Sequence, residues 1–203
     1  MQAADPAVIN SSVDGQIRVA LLLGTPVLLW MMVLSPVVLH VMYAADFQAA
    51  SGILRWQLLG DILKIAGWAV AFLLLARKAR GAFFLAELSF KLCYLLLGIP
   101  LAMQYGLNAL GMAYVGAYAA YLLVTLWLAR RETGFLVQRR TFILIAGCLA
   151  TALVTLLSVE SGSSVGMYAG VMVASLVTIA SLSAIFWWRA KERRSTTEVG
   201  TLV

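Results

Sequence analysis

The chain has 203 residues, 63% of them hydrophobic and only 12% charged, with a mean hydropathy of +0.94. Soluble domains carry roughly 25% charged residues, so a water-soluble enzyme or binding module is excluded and an integral membrane protein is expected. The net charge of +6 raises nucleic acid or anionic lipid as partners, but the placement of the charges assigns it to topology, and no nucleic-acid partner is expected.

A bilayer core about 30 Å thick takes roughly 20 apolar residues per helix. Six such runs lie at 19–43, 53–76, 82–103, 108–129, 141–159 and 165–188. They are long and continuous, without the apolar/polar alternation of membrane strands, which excludes a closed barrel and predicts an all-α membrane protein with six transmembrane helices. Residues 1–18 read as a polar cytoplasmic leader, 19–129 as helices one to four, 130–140 as a basic cytoplasmic loop, 141–188 as helices five and six, and 189–203 as a cytoplasmic tail. The first apolar run is too long for the core of a signal peptide, so helix one is expected to be retained. Pro26 and Pro36, with Gly24, predict a kink in it, because each proline removes an intrahelical hydrogen bond and crowds the preceding turn. His40, near its outer end, is expected at the interface.

Twelve of the fifteen basic residues fall on one side of these spans: Arg18, Arg77, Lys78, Arg80, Arg130, Arg131, Arg139, Arg140, Arg189, Lys191, Arg193 and Arg194. The opposite loops have none. The positive-inside rule therefore predicts both termini in the cytoplasm.

Helix two, "LRWQLLGDILKIAGW", carries Arg55, Asp61 and Lys64 in an otherwise apolar run. An ionisable group near the centre of a spanning helix costs about 2.5 to 3.5 kcal/mol, so such residues usually line a path or site. At about 100° per residue, Gln57, Asp61, Lys64 and Trp68 form one polar stripe. Helix three repeats the pattern with Glu87, Lys91 and Tyr94. Asp61 with Lys64, and Glu87 with Lys91, are spaced for ion pairs along one helix, and a purely structural pairing is the alternative reading. If the two stripes face each other, they form a four-charge cluster around a hydrated space, with Arg55 near its periplasmic mouth.

Helix four places Tyr114, Tyr118, Tyr121 and Thr125 on one face and Ala113, Gly116, Ala117 and Ala120 on its neighbour. The small face suits close packing in lipid. Tyrosine hydroxyls through the bilayer need partners, and their rings suit sugars; hydrogen bonds to neighbouring helices are the alternative. Helix five carries the weakly polar stripe Cys148, Thr151, Thr155 and Ser158, and helix six carries Ser175, Thr178 and Ser181. Cys93 and Cys148 sit in apolar runs and predict no disulfide. There is no phosphate-binding glycine loop, metal-ligand spacing or nucleophile elbow, so no catalytic residue, metal or cofactor is expected.

The segment "DFQAASGILRWQLLGDILKIAGWAVAFLLLARKARGAFFLAELSF" resembles the late helices of bacterial polysaccharide transporters, the flippases for lipid-linked oligosaccharides. The elements that carry the resemblance are Phe47, the "WQLLGD" run from Trp56 to Asp61, Lys64, Ala76 and the "AEL" at Ala86 to Leu88. "GLNALGMAYVGAYAAY" is similar to the glycine-rich opening of the family's following helix. The resemblance covers about residues 10–130. It implies the multidrug/oligosaccharidyl-lipid/polysaccharide exporter superfamily, in which two helical lobes alternate access to a central cavity. This chain resembles the last six helices of such a two-lobed protein, which implies either a truncated member lacking its N-terminal half or a half-transporter that needs a second copy. The implied activity is translocation of undecaprenyl-pyrophosphate-linked oligosaccharide across the bacterial inner membrane, alongside membrane lipids and the polysaccharide polymerase machinery. The expected path residues are Arg55, Gln57, Asp61, Lys64, Trp68, Glu87, Lys91, Tyr94, Tyr114, Tyr118 and Tyr121. A drug/cation antiporter and a non-transporting scaffold for polysaccharide assembly are the alternatives.

Overall fold

The computed structural model describes residues 6–42 and 50–200, with side chains over 10–41 and 50–187. Phe47 and the side chains of the basic tail from Arg189 onward lie outside the described residues. Among the described residues the chain is entirely helical: α1 (Pro6–Val33), α2 (Ser35–Met42), α3 (Ser51–Ala76), α4 (Arg80–Tyr105), α5 (Ala109–Thr133), α6 (Arg139–Glu160) and α7 (Ser164–Gly200). All but the short α2 are long and apolar enough to cross a membrane, giving six candidate spans. Each satisfies its own backbone hydrogen bonds, as hydrocarbon requires.

The kink expected in the first helix falls at Leu34, between α1 and α2, two residues before Pro36. Leu34 N–H still donates to the Trp30 carbonyl and Val38 N–H to the Leu34 carbonyl, each at 2.9 Å. The break therefore lies beside Pro36, whereas Pro26 is accommodated inside α1.

The expected leader is helix. α1 begins at Pro6 and lays Val13, Ile17 and Leu21, spaced four apart, into the core. Asp14 is fully buried, with both carboxylate oxygens 3.3 Å from the Gln138 amide. Arg18 donates to Thr141 at 2.8 Å and to Gln138. Composition alone read this stretch as polar because the paired groups are polar. Their partners lie more than a hundred residues away, at the start of α6.

α3 is the central helix, with 61% of its spanning window buried against 17% for α4 and α7. It is apolar on almost every side, as a fully surrounded helix should be. α5 packs against both α3 and α4, whereas α3 and α4 touch each other much less; α1, α6 and α7 form the other side of the bundle. Close approach of α3 and α5 is set by glycine. A Cβ added at Gly60 would stand 2.6 Å from the Tyr114 ring, one at Gly67 2.7 Å from Tyr121, and one at Gly111 2.6 Å from Trp56. Small residues facing aromatics draw these backbones together. α3 ends in a Schellman turn, with Lys78 N–H bonded to Leu75 and Ala79 N–H to Leu74. Lys78 takes the left-handed conformation (φ 62) that glycine usually supplies there.

Candidate functional site

Asp61, Lys64, Trp68 and Phe72 follow one another along one side of α3. Asp61 and Lys64 form the expected ion pair at 3.4 Å, each side chain 27% exposed. The stripe faces α5: Tyr114 donates to Asp61 at 2.8 Å, and Lys64 lies 3.4 Å from the Tyr114 hydroxyl. Lys64 also sits 4.9 Å from the centre of the Trp68 ring and 5.7 Å from that of Tyr118, so a cation–π contact offsets part of its desolvation.

On α4, Glu87 pairs with Lys91 at 3.6 Å and accepts a hydrogen bond from Tyr121 at 3.0 Å. The Lys91 side chain is 66% exposed near the middle of its span. Tyr94 stacks on Phe90 and meets Tyr114 edge-on. Phe90 in turn packs on Tyr118 with ring centres 4.2 Å apart. Tyr114, Tyr118 and Tyr121 contact one another in sequence, at 4.7 and 5.8 Å.

Among the described residues no ion pair joins the two charged stripes, but Trp68 of one and Glu87 of the other line the same cavity. The tyrosines of α5 link them: Tyr114 holds Asp61, Tyr121 holds Glu87, and Tyr118 touches both neighbours. Helical geometry gave each stripe correctly but left open which helix it would meet. The Tyr114 and Tyr121 hydroxyls find their partners inside the chain, on the acids of adjacent helices.

Beside this network, Trp68, Ala71, Phe72, Phe83, Glu87 and Tyr121 line an open cavity of about 280 Å³. Phe72, Phe83 and Phe90 were not among the expected site residues. The available signal was spacing: Phe72 is four residues beyond Trp68, and Phe83 is four before Glu87, so each shares its neighbour's face.

Two expected residues stand apart. Gln57 is half-buried one turn before Asp61. Arg55 is turned away from the cluster: its Nε donates to Ser35 at 2.8 Å, and it lines a separate cavity with residues of the α6–α7 connection. Six positions along a helix separate Arg55 from Asp61 by well over 90°. Arg55 is therefore not at the mouth of the Asp61 and Lys64 site.

Fold and site define a multi-pass helical membrane protein with a tyrosine-bridged charge network inside its spans. Comparison with known protein families, with curated proteins and with solved structures gives no match. Among the described residues there is no group of histidine, cysteine or carboxylate side chains that could hold a metal ion.

Proposed function

We propose that the chain forms a lobe of a flippase that moves polyprenyl-pyrophosphate-linked oligosaccharide across the bacterial inner membrane, with both termini cytoplasmic. The observation that carries this reading is the uncovered charge on α4. Lys91 is largely exposed at mid-span, and beside it Glu87 lines an aromatic cavity. Bare lipid penalises an ammonium at that depth by several kcal/mol, so water or a second helical lobe covers this face. A hydrated space there would take the sugars and pyrophosphate while the prenyl tail stays in hydrocarbon.

In that space Lys64 and Lys91 supply positive charge for pyrophosphate or acidic sugar, and Asp61 and Glu87 hold the cations in place or accept sugar hydroxyls. Trp68, Phe72 and Phe83 offer flat apolar faces to pyranose rings. The second wall is a further set of helices or a second copy of the chain. The resemblance around "WQLLGD" supplies the substrate class, since that run carries Asp61 on the same helix as Lys64 and Trp68.

The test is complementation in a strain lacking its oligosaccharide flippase, with and without a co-expressed second lobe. Restored surface polysaccharide, lost again on Lys64→Leu or Lys91→Leu at normal protein level, is the expected result. Restoration that survives both changes would overturn the reading. A drug/cation antiporter is the second reading, favoured by Glu87 among Trp68, Phe72 and Phe83, a setting that also suits an organic cation. Ethidium efflux that depends on Glu87 but not on Lys64 or Lys91 would select it.

A further inference from the structure

Arg55, displaced from the network above, lines a second cavity of about 530 Å³ with Val159, Glu160, Gly162, Ser163, Ser164, Met167 and Tyr168. This volume lies in the range of small-ligand sites. The cavity sits at one end of the bundle: Arg55 is in the second turn of α3, Glu160 is the last residue of α6, and Ser164 is the first of α7. The basic residues Arg77, Lys78, Arg139 and Arg140 lie at the opposite ends of α3 and α6.

The cavity presents one cation and one anion that act on each other across it but form no direct ion pair. The ion pairs among the described residues are Asp61 with Lys64 and Glu87 with Lys91. Arg55 is half-buried and held by Ser35, leaving further guanidinium N–H groups as donors. Glu160 is exposed. Ser163 supplies a hydroxyl that also accepts from the Gly166 amide at 3.0 Å. Met167 and Tyr168 give the rim an apolar side, and both are exposed where an acyl chain would lie.

We propose that this cavity binds the head group of a zwitterionic phospholipid bearing a primary ammonium, of the phosphoethanolamine type. Arg55 takes the phosphate by charge-assisted hydrogen bonds. Glu160 accepts from the ammonium, and Tyr168 with Met167 borders the acyl chains. A phosphocholine head group keeps the charge but has no N–H to donate to Glu160. A phosphoglycerol head group can donate hydroxyls to Glu160 but has no cation to offset its phosphate, so its net negative charge is disfavoured beside that carboxylate. The three therefore rank in that order. The site is independent of the transport reading, since Arg55 and Glu160 do not touch the Asp61, Lys64 and Glu87 network.

The experiment is native mass spectrometry of the purified full chain in detergent, titrated separately with phosphatidylethanolamine, phosphatidylcholine and phosphatidylglycerol of matched acyl chains. The expected result is about a tenfold preference for phosphatidylethanolamine over phosphatidylcholine, the size of one charge-assisted hydrogen bond. Glu160→Gln, an exposed position whose change leaves the fold intact, should bring that preference close to unity and raise phosphatidylglycerol binding. Arg55→Gln should weaken all three lipids. Because Arg55 also anchors Ser35, its unfolding transition is measured alongside, and the Glu160→Gln result decides if that variant does not fold. Equal binding of the three lipids by the unmodified chain, or an ethanolamine preference unchanged by Glu160→Gln, would overturn the proposal.

Discussion

Asp61 is the keystone of the network on α3 and α5, because two groups depend on it. Tyr114 donates to it at 2.8 Å and Lys64 pairs with it at 3.4 Å. Lys64→Leu removes the longer contact and the cation–π contacts to Trp68 and Tyr118, but Asp61 keeps its Tyr114 donor, so the change should cost about 1 to 2 kcal/mol, less than the loss of Asp61 itself. Asp61→Leu strands both the Lys64 ammonium and the Tyr114 hydroxyl and should cost about 2 to 4 kcal/mol. Changing Asp61 and Lys64 together removes the stranded charge but leaves Tyr114 only the neutral Tyr118 hydroxyl as acceptor in place of a carboxylate, a residual cost of about 1 kcal/mol. Adding Tyr114→Phe removes that cost, and the triple variant should return to within about 1 kcal/mol of the unmodified chain or exceed it. Denaturant unfolding in detergent micelles, followed by tryptophan fluorescence, reads this ladder. An Asp61→Leu variant that loses no more stability than Lys64→Leu, or a triple variant no more stable than the double, would refute the central role of Asp61. Flippase activity separates packing from function: a stable triple variant that no longer transports supports a charged path, and one that transports normally leaves these residues structural.

Gly67→Ala should destabilise by about 1 to 3 kcal/mol, because the new methyl group would stand 2.7 Å from the Tyr121 ring and push it off Glu87; Gly81→Ala, with nothing within 4 Å, is the neutral or stabilising control in the same unfolding assay. Lys78→Gly should raise stability by about 1 kcal/mol by relieving the left-handed backbone at the end of α3, seen as a higher denaturant midpoint. Tyr121→Phe should cost about 1 kcal/mol while leaving Asp61 and Tyr114 undisturbed, so its effect should add to that of Tyr114→Phe in a double variant. In a background with Cys93 and Cys148 replaced, a cysteine at Ser164 should react with an impermeant thiol reagent in whole cells and one at Arg131 should not; the reverse pattern would invert the proposed orientation.

Much of the site was legible as pieces. Helical spacing alone paired Asp61 with Lys64 and Glu87 with Lys91, and both pairs form. It also put Tyr114, Tyr118 and Tyr121 on one face, and those rings do contact one another. What it did not reveal was the order of assembly. That the tyrosine helix would bridge the two charged stripes was not readable from spacing, nor was the placement of Arg55 in another cavity.

The sequence by itself determined the class of protein, the number of spans and the positions of five of them, the first lying at Asn10–Val33 rather than 19–43, because the bilayer acts on each segment locally. Every helix must be apolar, about 20 residues long and self-sufficient in backbone hydrogen bonds, whatever its neighbours are. Which faces meet was decided only by the tertiary structure. In lipid, a face buried against protein and a face exposed to hydrocarbon are equally apolar, so hydrophobicity does not mark the interface as it does in water. Shape and polar partners mark it instead: Gly60 and Gly67 admit Tyr114 and Tyr121, those hydroxyls then reach Asp61 and Glu87, and Asp14 docks the start of α1 on Gln138. Each of these joins residues 34 to 124 positions apart, a distance over which helical periodicity carries no information.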